Sequence, residues 1–161
     1  MKLIASFFGV GYLRPAPGTW GSLAALPVGY VLLLAGGFWL LLGATLIAFV
    51  AGLIATKAII ATGDDHDPSW IVIDEVVGQW IALFPVAYGA AMMGVEYWQL
   101  YPGWIAGFAL FRLFDIRKPW LVGMADRRGD ALGVMLDDVI AGVFAAVVTI
   151  VLAGIAHGVL M

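Results

Sequence analysis

PAPGTWGSLAALPVGYVLLLAGGFWLLLGATLIAFVAGLIAT, residues 15–56, holds no charged side chain. A bilayer core about 30 Å thick is crossed by ~20 apolar residues of helix, so this stretch suffices for two crossings and no more. Gly36-Gly37 marks the break, because paired glycines permit a tight turn. One helix then covers residues 21–35, short enough to tilt little or to thin the bilayer locally. The next covers residues 38–61, with Lys57 snorkelling to the nearby surface.

Three more helices follow outward from this pair. A polar loop leads to Pro68 and Ser69, which read as the start of a helix over 69–93. Glu96 marks a turn, and a helix over 97–114 follows. A charged segment, 112–130, is interrupted by Pro119 and Gly129. The last helix starts near residue 130 and carries small residues (Gly142, Ala146, Gly154, Gly158) that let membrane helices approach closely. The apolar stretch between Lys2 and Arg14 is too short to span and is expected to lie on the membrane as an interfacial helix. The expected fold is therefore all-α, a polytopic membrane helical bundle of four to five membrane helices plus that interfacial helix. It forms a single domain over 1–161. Because the first helix is short, four full spans with a re-entrant hairpin is the alternative.

Placing the N-terminus inside puts the loops at 62–70 and 112–130 inside as well. Every Lys and Arg then falls on the inner side, as the positive-inside bias expects. Trp20, Trp70 and Trp120 sit at the inner boundary, and Trp39 and Trp98 at the outer one. The expected location is a bacterial cytoplasmic (inner) membrane, with the active surface on the cytoplasmic face.

Composition agrees. Of 161 residues, 63% are hydrophobic and 12% charged, about half the charge of a typical soluble domain, and the mean hydropathy is +1.03. A net charge of −3 and the lack of a basic face argue against nucleic-acid partners. The absence of cysteine excludes disulfides, zinc thiolates and a cysteine nucleophile.

All acids except Glu96 and Asp115 fall in residues 64–75 and 126–138, each beside a long apolar run. Carboxylates at a bilayer edge are unfavourable unless a cation binds them. Asp74-Glu75 follows the apolar Ile71-Val-Ile73, and Gly78 lies one turn after Asp74 on the same face. Asp137-Asp138 is the matching pair. Magnesium takes oxygen ligands, commonly carboxylates with waters and substrate phosphate, so two acidic pairs suit one ion or two. The competing reading for Asp74-Glu75 is an exposed acidic helix start that complements the dipole, and for Asp137-Asp138 a solvated helix end. Arg112 and Lys118 bring cations to the same face, for phosphate or for membrane anchoring. Thr19 and Ser22, at the start of the first membrane helix, either cap it or help bind an oxyanion.

Gly18-Thr-Trp-Gly-Ser22, Asp67-Pro-Ser-Trp-Ile-Val-Ile-Asp-Glu-Val-Val-Gly78, Phe111-Arg-Leu-Phe-Asp-Ile-Arg-Lys-Pro119 and Gly133-Val-Met-Leu-Asp-Asp-Val-Ile-Ala-Gly142 together resemble the phosphatidylglycerophosphatase A family, over essentially the whole chain. The resemblance implies a bacterial membrane enzyme that removes the terminal phosphate of phosphatidylglycerophosphate with magnesium. Its acidic motif positions fall on Asp67, Asp74, Glu75, Asp137 and Asp138. Its basic segment falls on Arg112, Asp115, Lys118 and Pro119, and its opening motif on Thr19, Gly21 and Ser22. The connector 126–129 does not align, so Asp126, Arg127 and Arg128 stay outside the expected site.

The expected chemistry has Asp74, Glu75, Asp137 and Asp138 holding Mg²⁺, with Asp67 assisting. Arg112 and Lys118 grip the terminal phosphate, supported by Thr19 and Ser22. Asp67 or Asp115 serves as general acid or base. Direct water attack and an aspartyl-phosphate intermediate both remain open. The partner is a phospholipid substrate among membrane lipids, and the oligomeric state is not readable. The alternative is a small membrane transporter or channel with an acidic cytoplasmic ion site. The gathering of acids at one face, rather than along the bilayer depth, argues against it.

Overall fold

A computed structural model of the chain describes residues 1–62 and 68–160. The regular structure among them is helical: α1 (Lys2–Ala5), α2 (Pro17–Ile60), α3 (Ile73–Ala82), α4 (Phe84–Met93), α5 (Tyr101–Arg117), α6 (Leu121–Asp126) and α7 (Ala131–Leu160). Short 3-10 turns cover Val10–Tyr12 and Tyr97–Leu100. Among the described residues three helices are long and apolar enough to cross a membrane: Pro17–Ile60, Ile73–Met93 (α3 with α4) and Ala131–His157.

The first of these is a hairpin. Gly36 (φ −161°, ψ 18°) and Gly37 (φ 63°, ψ −157°) leave helical geometry, and the positive φ of Gly37 favours glycine. Gly21 packs on Val72 and Gly52 on Ile73. Those glycines would stand about 46 Å apart in a straight helix. The chain therefore folds back at the expected glycine pair. Its first limb begins at Pro17, four residues earlier than expected, because proline suits the first turn, where no N–H partner is lost.

α3 is the central helix. Val72, Val76, Val77, Trp80 and Leu83 form a buried cluster with Ala25 and Leu33 of the first limb and Leu41 and Ala55 of the second. The Trp80 indole N–H donates to the Ala25 carbonyl at 2.8 Å. Gly29 leaves room for the ring, which would lie 3.2 Å from a Cβ there. The helix expected over 69–93 starts instead at Ile73 and is jointed at Leu83. Pro85, in the first turn of α4, has no N–H to continue the ladder. Phe38, just past the hairpin turn, packs edge-on against Phe84 and Tyr88 of α4.

The N-terminus departs from expectation. Instead of an interfacial helix it forms the four-residue α1 and a tight turn, because Phe7, Phe8 and Gly9 all take positive φ (45°, 58° and 96°). Ala5 and Ser6 are buried, and the Val72 N–H donates to the Ala5 carbonyl at 2.8 Å. The segment thus braces the start of α3. The 97–114 helix also shifts. A 3-10 turn with a Glu96–Gln99 capping box precedes α5, which runs on to Arg117. The charged segment contains a short helix, α6, that was not expected. Asp130 caps α7, accepting from the Gly133 N–H at 2.8 Å, and pairs with Arg128.

Gly78 sets the spacing of three helices. A Cβ there would lie 2.6 Å from the Asp138 carbonyl oxygen of α7 and would overlap the Phe111 ring of α5. Gly142 answers it from α7, where a Cβ would come 3.1 Å from Gly78 Cα. Asp74 precedes Gly78 by four residues, as Asp138 precedes Gly142, so one glycine contact brings both acids to the same end of the bundle. Gly78→Ala or Gly142→Ala should therefore destabilise the protein by about 1–3 kcal/mol. Gly154→Ala, with nothing within 4 Å of the added carbon, should change stability by less than ~0.5 kcal/mol. Thermal unfolding of the three variants in detergent checks this ordering.

Candidate active site

Four elements converge at the end of the bundle where α3 and α7 begin. The first turn of α3 supplies Asp74 and Glu75. The second turn of α7 supplies Asp137 and Asp138. The last turns of α5 supply Arg112 and Asp115, and its C-cap Lys118. The first turn of α2 supplies Gly18 and Thr19. A cavity of about 320 Å³ lies among them, lined by five carboxyls (Asp74, Glu75, Asp115, Asp137, Asp138) and two cations (Arg112, Lys118), with Ser69, Ile116 and Val134 also contributing.

Carboxylate oxygens of Asp74, Glu75 and Asp138 all lie within 4.8 Å of one another. Asp74 and Asp138 are 7% and 3% exposed. Glu75 Oε2 and Asp138 Oδ1 are buried with no hydrogen-bond partner. So many acids packed at the edge of an apolar bundle repel one another, and two cations do not balance five carboxyls. An oxygen-preferring cation fits this donor set: it would neutralise the excess and satisfy the two orphaned oxygens.

Arg112 occupies the deep side. It pairs with Asp115, and its Nη2 donates to Thr19 Oγ1 at 3.3 Å. Gly18 lies against both Glu75 and Arg112: a Cβ there would overlap Glu75 Oε1 and come 3.2 Å from Arg112 Nη1. Lys118 occupies the other side, at the end of α5 in left-handed backbone geometry (φ 44°, ψ 55°). Its ammonium pairs with Asp126 and, at 3.0 Å, with Asp137 Oδ2. Burial alone would push the lysine pKa down. The hydrogen bonds it donates to Asp126 and Asp137 outweigh that, raise it, and keep the ammonium charged.

Most of the residues singled out in the sequence meet here, in different positions. Asp74, Glu75 and Asp138 form the cluster. Asp137 lines the same cavity but stands apart, engaged by Lys118. Ser22 is fully buried and donates to the Gly18 carbonyl at 2.8 Å, so its hydroxyl serves its own helix rather than the cavity. Asp67 lies outside the described residues. Asp126, left out of the expected site, reaches Lys118 because α6 folds back over the end of α5. No local pattern in the connector signals that contact. Gly18 was legible only as the first residue of the opening motif.

A family model described as Phosphatidylglycerophosphatase A matches residues 3–153. The Phosphatidylglycerophosphatase A of Haemophilus influenzae is 40% identical over 150 residues, covering 92% of this chain and 85% of that protein. The protein of the same name from Escherichia coli is 36% identical over 149 residues, covering 89% of this chain and 78% of that one. A Bacteroides thetaiotaomicron protein named as a putative phosphatidylinositol-3-phosphatase is 40% identical over 147 residues, covering 88% and 86%. No solved structure matches. The motifs that build the cavity all fall within a match that spans nearly the whole chain, and the chain belongs to the phosphatidylglycerophosphatase A family of phosphatases.

Proposed function

We propose that this protein is a magnesium-dependent lipid phosphatase that hydrolyses the terminal phosphomonoester of phosphatidylglycerophosphate to phosphatidylglycerol and phosphate. The observation that carries this reading is the meeting of Asp74, Glu75 and Asp138 within 4.8 Å, beside Arg112, at one end of an apolar bundle. The head groups in the relatives' names, phosphatidylglycerophosphate and phosphatidylinositol 3-phosphate, share a design. Each has a phosphodiester to the lipid and a separate phosphomonoester on the polyol.

Asp74, Glu75 and Asp138 would hold Mg²⁺, with Asp137 adjoining. When bound, the ion offsets charge on the phosphoryl oxygens and makes water a stronger nucleophile. Arg112 binds the phosphate through its guanidinium, oriented by Asp115 and Thr19. The bare backbone at Gly18 lets the Glu75 carboxylate pack against it, beside Arg112. Asp115 or Asp67 takes the proton from the attacking water or returns it to the departing glycerol oxygen. The bundle forms one domain in a bacterial inner membrane. The two α2 limbs, α3 with α4, α5 and α7 make five passages, and the cation-rich end faces the cytoplasm.

Phosphate release from phosphatidylglycerophosphate by the detergent-purified protein should require Mg²⁺ and stop with EDTA. Asp74→Ala and Asp138→Ala should each lower it about 100-fold or more. In thermal unfolding, Mg²⁺ should raise the Tm of the native protein and leave that of Asp138→Asn unmoved. Retained turnover in both alanine variants would refute the site. Gly18→Ala should lower kcat/KM by at least about 100-fold through its overlap with Glu75. Gly43→Ala, whose Cβ would meet nothing within 4 Å, should not.

A further inference from the structure

The two cations of the cavity differ in depth. The Arg112 side chain is 14% exposed and sits against Gly18 and Glu75, whereas that of Lys118 is 32% exposed. They are six positions apart at the end of α5, about 9 Å along the helix axis. Lys118 is also mounted differently. Its backbone is left-handed, an unfavourable state for a residue with a side chain. α6 is pressed against it: a Cβ at Gly123 would lie 2.7 Å from the Lys118 carbonyl oxygen. On its other side α6 rests on α7, where a Cβ at Gly133 would lie 2.8 Å from the Ala125 carbonyl. These two close approaches carry Asp126 to the Lys118 ammonium, opposite Asp137.

A lipid of the proposed class carries two phosphates separated by a polyol. The monoester must go deep, to the carboxylate cluster and Arg112. The diester, which leads to the glycerolipid, must stay nearer the mouth. We infer that Lys118 is the specificity-determining residue that binds this second phosphate, and that Asp126 is its positioning residue. This rests on the reading of the site as a lipid phosphatase and separates the roles of the two cations, which sequence alone assigned to one phosphate. Asp137 and Asp126 take two of the ammonium's three N–H groups and hold it at the mouth of the cavity. The third N–H is left for the incoming diester, so a head group lacking that phosphate loses the contact.

The test measures turnover of phosphatidylglycerophosphate in mixed micelles by the full chain, with two soluble inhibitors. Glycerophosphoglycerol carries the diester alone, and inorganic phosphate mimics the released monoester. Lys118→Gln should raise KM about ten-fold with kcat changed less than about three-fold, and raise the Ki of glycerophosphoglycerol in parallel. The Ki of inorganic phosphate should move much less. Asp126→Asn, at a half-exposed position where folding is not at stake, should shift both constants in the same direction. Asp126→Glu should restore most of the loss. An equal rise in both Ki values, a loss confined to kcat, or a native protein that glycerophosphoglycerol does not inhibit would each overturn the inference while leaving the phosphatase reading intact. No turnover of the lipid by the native protein would remove that reading and the inference with it.

Discussion

The absence of a side chain at Gly78 is the constraint on which the site depends. α7 approaches α3 there until the Asp138 carbonyl would sit 2.6 Å from any Cβ, and the Phe111 ring of α5 fills the adjoining space. Phe111 is fully buried, and its chain neighbour is Arg112. A methyl group at residue 78 would push away the helix that brings Asp138 and the helix that brings Arg112. In a bilayer, where association of apolar helices gains nothing from expelling water, such backbone proximity is a principal source of packing energy. The same contact thus serves stability and chemistry.

The electrostatics of the site run against stability. Five carboxyls share a cavity with two cations at the edge of an apolar bundle, and two buried carboxyl oxygens find no partner. Such an arrangement is unfavourable in the absence of a cation and is characteristic of sites selected for binding. The protein meets part of the imbalance itself, in two separate units. Arg112 is balanced by Asp115 in the interior, and Lys118 by Asp126 and Asp137 at the mouth. The remaining trio, Asp74, Glu75 and Asp138, is where the uncompensated charge concentrates.

Helix ends do the positioning. Every polar group of the cavity comes from the first turns of α2, α3 and α7, from the last turns of α5, or from the residues beside them. Helix starts present backbone N–H groups and favour negative charge, which suits Asp74 and Glu75 in the first turn of α3. The long apolar bodies behind them hold these ends at one level. The jointed α3–α4 pair and the α2 hairpin add a tightly packed core around Trp80, so that the site rests on rigid elements.

Sequence alone determined the long apolar helices, the hairpin at Gly36-Gly37, and the residue types that gather at one face. These are encoded locally: a long uncharged run makes an apolar helix, paired glycines turn, and adjacent acids beside apolar residues favour a cation. The acids were legible as two pairs, Asp74-Glu75 and Asp137-Asp138, suited to one ion or two, and Gly78 as lying on the face of Asp74. Tertiary structure decided the rest. Asp137 faces Lys118 rather than the acid trio, because successive residues of α7 point in different directions around its axis. Ser22 turns back to its own helix, and the N-terminal segment folds under α3 because Val72 offers it a hydrogen-bond partner. Asp126 joins Lys118 only because α6 is docked between α5 and α7 by two bare glycines. Such contacts depend on distances between segments, and spacing along a chain does not contain them.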